Sequence, residues 1–176
     1  MNLSFDEFIQ KVNQEKSIYS AGPAALLLEN IEFLQPCFGR GDKYYLEAEE
    51  FVLNYLSNLT SHQNIVRLQG SATLALEIAI LNFCRGEILI IETGYYSDRL
   101  KKIAEKICSY NKSNVTSINY QNIETVSNNK YDWIVACYTE TSIGLKLNIE
   151  DLRKLATKSN AQLLLDATAS IGIENK

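Results

Sequence analysis

The stretch Glu87-Ile88-Leu89-Ile90-Ile91-Glu92-Thr93-Gly94-Tyr95-Tyr96-Ser97-Asp98-Arg99 sets the reading of the whole chain. Four consecutive aliphatic residues between two glutamates suit a strand buried on both faces, as strands are in parallel sheets covered by helices. Directly after it, Leu100, Ile103, Ala104, Ile107 and Cys108 recur at helical spacing. Working outward, residues 64–69, 114–119, 133–138 and 162–166 have the same strand character. Leu163-Leu164-Leu165 is as apolar as the first run. Residues 71–83 are apolar almost all round, with Glu77 the only charge, which predicts a buried helix. Ile149, Leu152, Leu155 and Ala156 repeat behind a possible Asn148 cap. Upstream, Ser4 and Glu7 form a capping box for a short helix carrying Phe5, Phe8, Ile9 and Val12, and residues 42–59 read as a longer helix. Strand-helix alternation of this kind predicts an α/β fold, a mostly parallel sheet with helices on both faces, whose ligands bind at the carboxyl ends of the strands.

Composition narrows the function classes. The 176 residues are 46% hydrophobic and 22% charged, enough apolar material for one ordinary core. The formal charge of -4 is spread along the chain with no basic stripe, which argues against nucleic acid as a partner. No apolar run approaches a membrane span and the first residues are not a secretory leader, so no membrane is expected and a cytoplasmic protein is. Cys37, Cys84, Cys108 and Cys137 are far apart, and His62 is the only histidine, which counts against zinc sites and hydrolytic triads. The cysteines read as reduced core thiols, His62 as an ordinary loop residue, and no metal is expected.

Four segments at successive strand ends could carry chemistry. Gly70-Ser71-Ala72-Thr73 precedes the apolar helix, where free N–H groups, hydroxyls and the helix dipole suit a phosphate; the plainer alternative is that Ser71 only caps the helix. Asp166 ends an apolar strand, where a carboxylate is costly without a partner. A protonated pyridine nitrogen would serve, as would a loop cap or a magnesium ion. Tyr95 and Tyr96 place aromatic faces where a planar ligand could stack, and Thr139-Glu140-Thr141-Ser142 offers hydroxyls and one carboxylate. Each of these alone could be turn chemistry.

Taken in order, Ala21-Gly22-Pro23, Leu68-Gln69-Gly70-Ser71-Ala72-Thr73, Gly94-Tyr95-Tyr96 with Arg99, Glu140-Thr141-Ser142-Ile143-Gly144 and Asp166-Ala167-Thr168-Ala169-Ser170 resemble the class V aminotransferases. That group includes the alanine-glyoxylate, serine-pyruvate and 2-aminoethylphosphonate-pyruvate transaminases. The resemblance implies the large domain of a fold-type-I enzyme dependent on pyridoxal 5'-phosphate (PLP). Gly70, Ser71, Ala72 and Thr73 would help hold the phosphate, Tyr96 would stack on the pyridine ring, and Thr141 would reach its hydroxyl side. Asp166 would pair with the ring nitrogen and support catalysis, and Gly22 and Pro23 would lie near the substrate. Arg40 falls near a segment that contributes to the site in some members. Many relatives have glycine where Ala72 stands, which weakens the phosphate assignment.

The same resemblance implies transfer of an amino group from a small amino acid or aminophosphonate to a 2-oxo acid of the pyruvate or glyoxylate class, by a homodimer. The run 68–71 with 140–144 looks more like the 2-aminoethylphosphonate branch. In the family the lysine that binds PLP covalently comes after the aspartate, and Lys176 is too close to Asp166 to be that residue. Residues 1–19 are thus expected to be an N-terminal helical segment. Residues 20–176 are expected to be the front part of a PLP-binding domain whose remainder, with the small C-terminal domain, is absent. Two alternatives stand beside this reading: a cysteine desulfurase or related lyase on the same fold, which usually stacks a histidine where Tyr96 stands, and a non-catalytic remnant or binding module.

Overall fold

The computed structural model describes Ser4, Glu7, Gly39, residues 41–126 and residues 130–173. Gly22, Pro23, Cys37, Arg40 and Lys176 lie outside the described residues, as does most of the expected N-terminal helix. The chain forms two units, Met1–Val66 and Arg67–Lys176.

In the first unit the expected capping box is present: Ser4 N donates to Glu7 Oε2 at 2.8 Å and Glu7 N to Ser4 Oγ at 3.3 Å. Helix α1, Lys43–Thr60, begins where Asp42 accepts from Tyr44 N at 2.8 Å and ends at Ser61 in the left-handed region. His62 sits in the loop beyond, its Nδ1 2.9 Å from Thr60 O.

The second unit is built on a four-stranded sheet in the order β2-β1-β3-β6, every neighbouring pair parallel. Its strands are β1 (Glu87–Glu92), β2 (Asn114–Asn119), β3 (Trp133–Cys137) and β6 (Gln162–Asp166). The helices are α2 (Ala72–Phe83), α3 (Tyr95–Asn111) and α4 (Ile149–Ser159), with a 3-10 turn at Tyr120–Thr125. Because side chains alternate along a strand, β1 feeds two cores at once. Ile88 and Ile90 join Leu100, Ile103, Ala104 and Ile107 of α3 and Ile80 of α2 on one face. Leu89 and Ile91 join Leu152, Leu155 and Ala156 of α4 on the other. At roughly 1.5–3 kcal/mol for each buried aliphatic side chain, these two layers are the main favourable term holding the sheet. Asn148 caps α4 as expected, accepting from Glu150 N at 2.9 Å.

Two expectations are corrected. Residues 64–69 are not a strand: they pair with neither sheet edge, and Val66 and Leu68 are 76% and 41% exposed. A strand exists only through ladder hydrogen bonds, and local apolar pattern cannot supply the partner. Helix α2 is not buried all round either. Ile80 is its one buried residue, and Leu81 and Phe83 face outward at 47% and 61% exposure. Only the stripe toward α3 and the sheet meets core.

Beyond the carboxyl end of β3, a two-stranded antiparallel hairpin of β4 (Thr139–Glu140) and β5 (Leu145–Lys146) projects from the sheet. Gly144, at φ +67°, makes its turn in a conformation that side chains disfavour. Tyr138 N donates to Asp166 O at 3.0 Å, carrying the β3–β6 pairing one step past the strand.

Candidate active site

Parallel pairing puts the carboxyl ends of β1, β3 and β6 on one edge, so Thr93, Tyr138 and Asp166 leave the sheet side by side. The hairpin and the start of α3 sit on the same edge, held together by Glu140. This glutamate is fully buried, and both its oxygens are in use. Oε2 accepts from Thr93 Oγ1 at 3.1 Å, Tyr96 N at 3.1 Å and Ser97 N at 3.2 Å. Oε1 accepts from Tyr96 N at 3.3 Å and from the Ser142 hydroxyl. Burial alone would raise the carboxyl's pKa, but the donors Ser142, Ser97, Tyr96 and Thr93 outweigh it and hold the group below its ordinary range. Gly94 allows this approach, since a β-carbon there would stand 3.1 Å from Glu140 Cγ.

The orphan donors of the two helix N-termini therefore have different fates. In α3, Tyr95 N points to Ser142 Oγ at 3.4 Å, Tyr96 and Ser97 N serve Glu140, and Asp98 N returns to Gly94 O at 3.0 Å. In α2, Ser71 Oγ accepts from Leu74 N at 3.2 Å and Ala75 N closes the first helical bond to Ser71 O. Among the described residues, nothing accepts from Ala72 N or Thr73 N. The capping alternative for Ser71 is thus realised, and two N–H groups beside it stay open.

Arg99 joins the start of α2 to the aromatic pair. Its Nη1 donates to Thr73 Oγ1 at 3.1 Å and Nη2 to Tyr95 OH at 3.4 Å. Its guanidinium carbon lies 5.3 Å from the ring centroids of both Tyr95 and Tyr96, which meet edge to face. Arg99 has no carboxylate partner among the described residues. Thr141, on the hairpin turn next to Glu140, is half-buried, and its hydroxyl has no hydrogen-bond partner among the described residues. Asp166 is also half-buried. Its Oδ1 caps the following turn, accepting from Thr168 N at 3.1 Å and Thr168 Oγ1 at 2.6 Å, while Oδ2 takes no donor from the described residues. Next to it, Cys137 is a buried thiol, pushed up to about 12 by burial and by the nearby Asp166 and Glu140 charges.

The segments expected at the site, 70–73, Tyr96, Thr141 and Asp166, are therefore brought to one sheet edge; Gly22 and Pro23 are outside the described residues. Sequence reasoning gave Glu140 no role beyond a carboxylate in a motif. Its one available signal was an acidic residue among hydroxyls after a buried strand.

Along the carboxyl edge of this parallel sheet, which helices cover on both faces, stand two N–H groups without an acceptor among the described residues, an aromatic, a hydroxyl and a strand-end carboxylate, and this is the edge at which such α/β sheets bind ligands. Residues 42–175 match the family model described as Aminotransferase class-V, and the chain belongs to that family of PLP-dependent enzymes. It is 25% identical over 166 residues to an "Uncharacterized aminotransferase" of Helicobacter pylori, covering 89% of this chain and 45% of that protein. It is 20% identical over 134 residues to a 2-aminoethylphosphonate–pyruvate transaminase of Phocaeicola vulgatus, covering 72% and 37%. The chain thus spans less than half the length of these curated relatives. Among solved structures, it superposes on pyridoxamine-pyruvate aminotransferase from Mesorhizobium loti with a TM-score of 0.76 at 20% identity, covering 89% of this chain and 43% of that one. That likeness shows the shared fold. No helix among the described residues is long and apolar enough to cross a membrane.

Proposed function

We propose that this chain supplies the front half of a PLP site in an aminotransferase that moves an amino group from a small amino acid or aminophosphonate to a 2-oxo acid. The observation that carries this reading is the set of polar groups on one sheet edge that keep hydrogen-bonding capacity among the described residues. Ala72 N, Thr73 N and the Arg99 guanidinium suit a phosphate dianion, Thr141 Oγ1 a ring hydroxyl, and Asp166 Oδ2 a protonated ring nitrogen. The donor and acceptor types fit PLP group by group. When bound, PLP supplies the electron sink for breaking the bond between the substrate's α-carbon and its proton. Asp166 Oδ2 would keep a proton on the ring nitrogen, while Thr168 holds Oδ1 and fixes the carboxylate's orientation. Tyr96 would lie along the ring, and the α2 N-terminus would hold the phosphate and with it the register of the site.

Other partners follow as part of the same reading: pyruvate or glyoxylate as acceptor, and a second copy of the protein, for which the outward Leu81 and Phe83 of α2 offer apolar surface. A cytoplasmic setting agrees with the free buried thiols Cys84, Cys108 and Cys137. Substrate preference is the open choice within the class, and 2-aminoethylphosphonate and alanine are the donors to compare.

Calorimetric titration with pyridoxamine 5'-phosphate tests the reading, since this form has no aldehyde to react with surface lysines. We expect saturable binding, about tenfold or more weaker for pyridoxamine without phosphate, and weakened again by Asp166→Ala, as loss of a charge-assisted hydrogen bond implies. Equal affinity of the two forms, or of the two proteins, would sink it.

A further inference from the structure

We propose that Glu140 is a positioning residue for this site, anchoring the first turn of α3 to the β4–β5 hairpin so that Tyr96 and Thr141 hold a fixed spacing. The inference rests on the PLP reading for its purpose, but its geometry stands in the chain itself. Strand β4 is two residues long, and its side chains point to opposite sides. Thr139 Oγ1 bonds Ser170 Oγ in the loop that follows Asp166, whereas Glu140 turns to the start of α3. One dipeptide thus ties together the three segments that follow β1, β3 and β6.

The chemistry explains why a carboxylate stands there. Two backbone N–H donors and two hydroxyls converge on Glu140, and a carboxylate accepts from all four through charge-assisted bonds. Gln would keep one carbonyl oxygen for Tyr96 N and Ser97 N but would lose the charge that strengthens those bonds, and its NH2 would replace the oxygen that faces Ser142. A negative charge at the N-terminus of α3 also satisfies the helix dipole from within the protein. This end of the helix is consequently closed to an external anion, which leaves the open N-terminus of α2 as the phosphate side. Gly94 is the complementary feature: its missing β-carbon leaves room for Glu140 Cγ and for Ser142 Oγ, each 3.1 Å from where that carbon would be.

Amide hydrogen exchange measured residue by residue, together with titration by pyridoxamine 5'-phosphate, tests the proposal on the full chain. In Glu140→Gln, exchange at Tyr96 N and Ser97 N is expected to quicken about tenfold, the scale of replacing charge-assisted hydrogen bonds by neutral ones, while the β1 amides of Ile88 to Ile91 change far less. Affinity for pyridoxamine 5'-phosphate is expected to fall by a similar factor. Gly94→Ala, which displaces the carboxylate without removing it, should reproduce both effects. Ser142→Ala, which deletes one donor, should show them weakly, so the result survives if Glu140→Gln folds poorly. Exchange that quickens uniformly across β1 and α3 would mean a general stability role and overturn the proposal, as would unchanged ligand affinity in a variant whose Tyr96 and Ser97 amides are loosened. If the unmodified chain binds no pyridoxamine 5'-phosphate, the PLP reading fails, and the exchange pattern alone then decides whether the anchor exists.

Discussion

Arg99 reaches Thr73 across the sheet edge, Nη1 to Oγ1 at 3.1 Å, so the first turns of α3 and α2 share one cation. A guanidinium with no carboxylate partner among the described residues, on the same sheet edge as Ala72 N and Thr73 N, suits the anion of the proposed ligand. Arg99→Ala is expected to lower affinity for pyridoxamine 5'-phosphate about ten- to a hundredfold and to leave the already weak binding of phosphate-free pyridoxamine nearly unchanged. Arg99→Lys should recover only part of the loss, since an ammonium cannot serve Thr73, Tyr95 and an anion in one plane. Calorimetry on the three proteins checks this.

Acid should act on this fold through Glu140. Its folded-state pKa lies below the ordinary value of 4.5, because the four donors outweigh burial. The stabilisation it provides is therefore complete above about 4.5 and is lost as pH falls through the lowered folded value. Glu92, lowered by its hydrogen bonds from Lys101 and Ser117, works in the same direction. Urea midpoints measured from pH 7 to pH 3 should fall at the acid end. Glu140→Gln should start lower at neutral pH and show a flatter acid limb; parallel curves would contradict the assignment.

The thiols give a chemical readout of the two cores. Burial pushes Cys84 and Cys137 up to about 12 each, so little thiolate exists at pH 8. Iodoacetamide at that pH, followed by peptide mapping, should leave Cys84, Cys108 and Cys137 unmodified in the folded chain and modify all three in urea. Rapid labelling of Cys84 without urea would show that the α2–α3 face opens.

Gly86 is the glycine whose replacement should cost most. It has φ +79°, and a β-carbon would lie 2.0 Å from Asp132 Oδ2, the atom that accepts from Glu87 N at 2.8 Å. Gly86→Ala thus combines a strained backbone with loss of the bond that starts β1 beside β3. A destabilisation of about 2–4 kcal/mol by urea unfolding is expected.

Much of this was legible in the residues. Strands 87–92, 114–119 and 162–166 occur at the expected bounds, and Ser71 and Asn148 cap helices as read. These features depend on local rules: an apolar run between charges, or a short oxygen-bearing side chain before a helical repeat. Residues 64–69 have the same run and no ladder, because pairing is a property of two segments and the pattern shows only one. The apolar circumference of α2 misled for a related reason, since hydrophobicity tells what a helix could bury and not what is there to cover it.

The sequence by itself determined the alternation of strands and helices, the two-sided burial of β1, and which short segments carry hydroxyls, an aromatic and a carboxylate at strand ends. Those follow from side-chain periodicity and from the covalent order of the chain. Tertiary structure alone decided how the groups are shared. Of two helix N-termini with small polar residues, the start of α3 is filled by Glu140, 43 to 44 residues away in the chain, and the start of α2 stays open beside Arg99. Of the two oxygens of Asp166, one is used by Thr168 and the other takes no donor among the described residues. A hydrogen bond saturates its donor, so what remains available to a ligand is known only after every protein partner is in place.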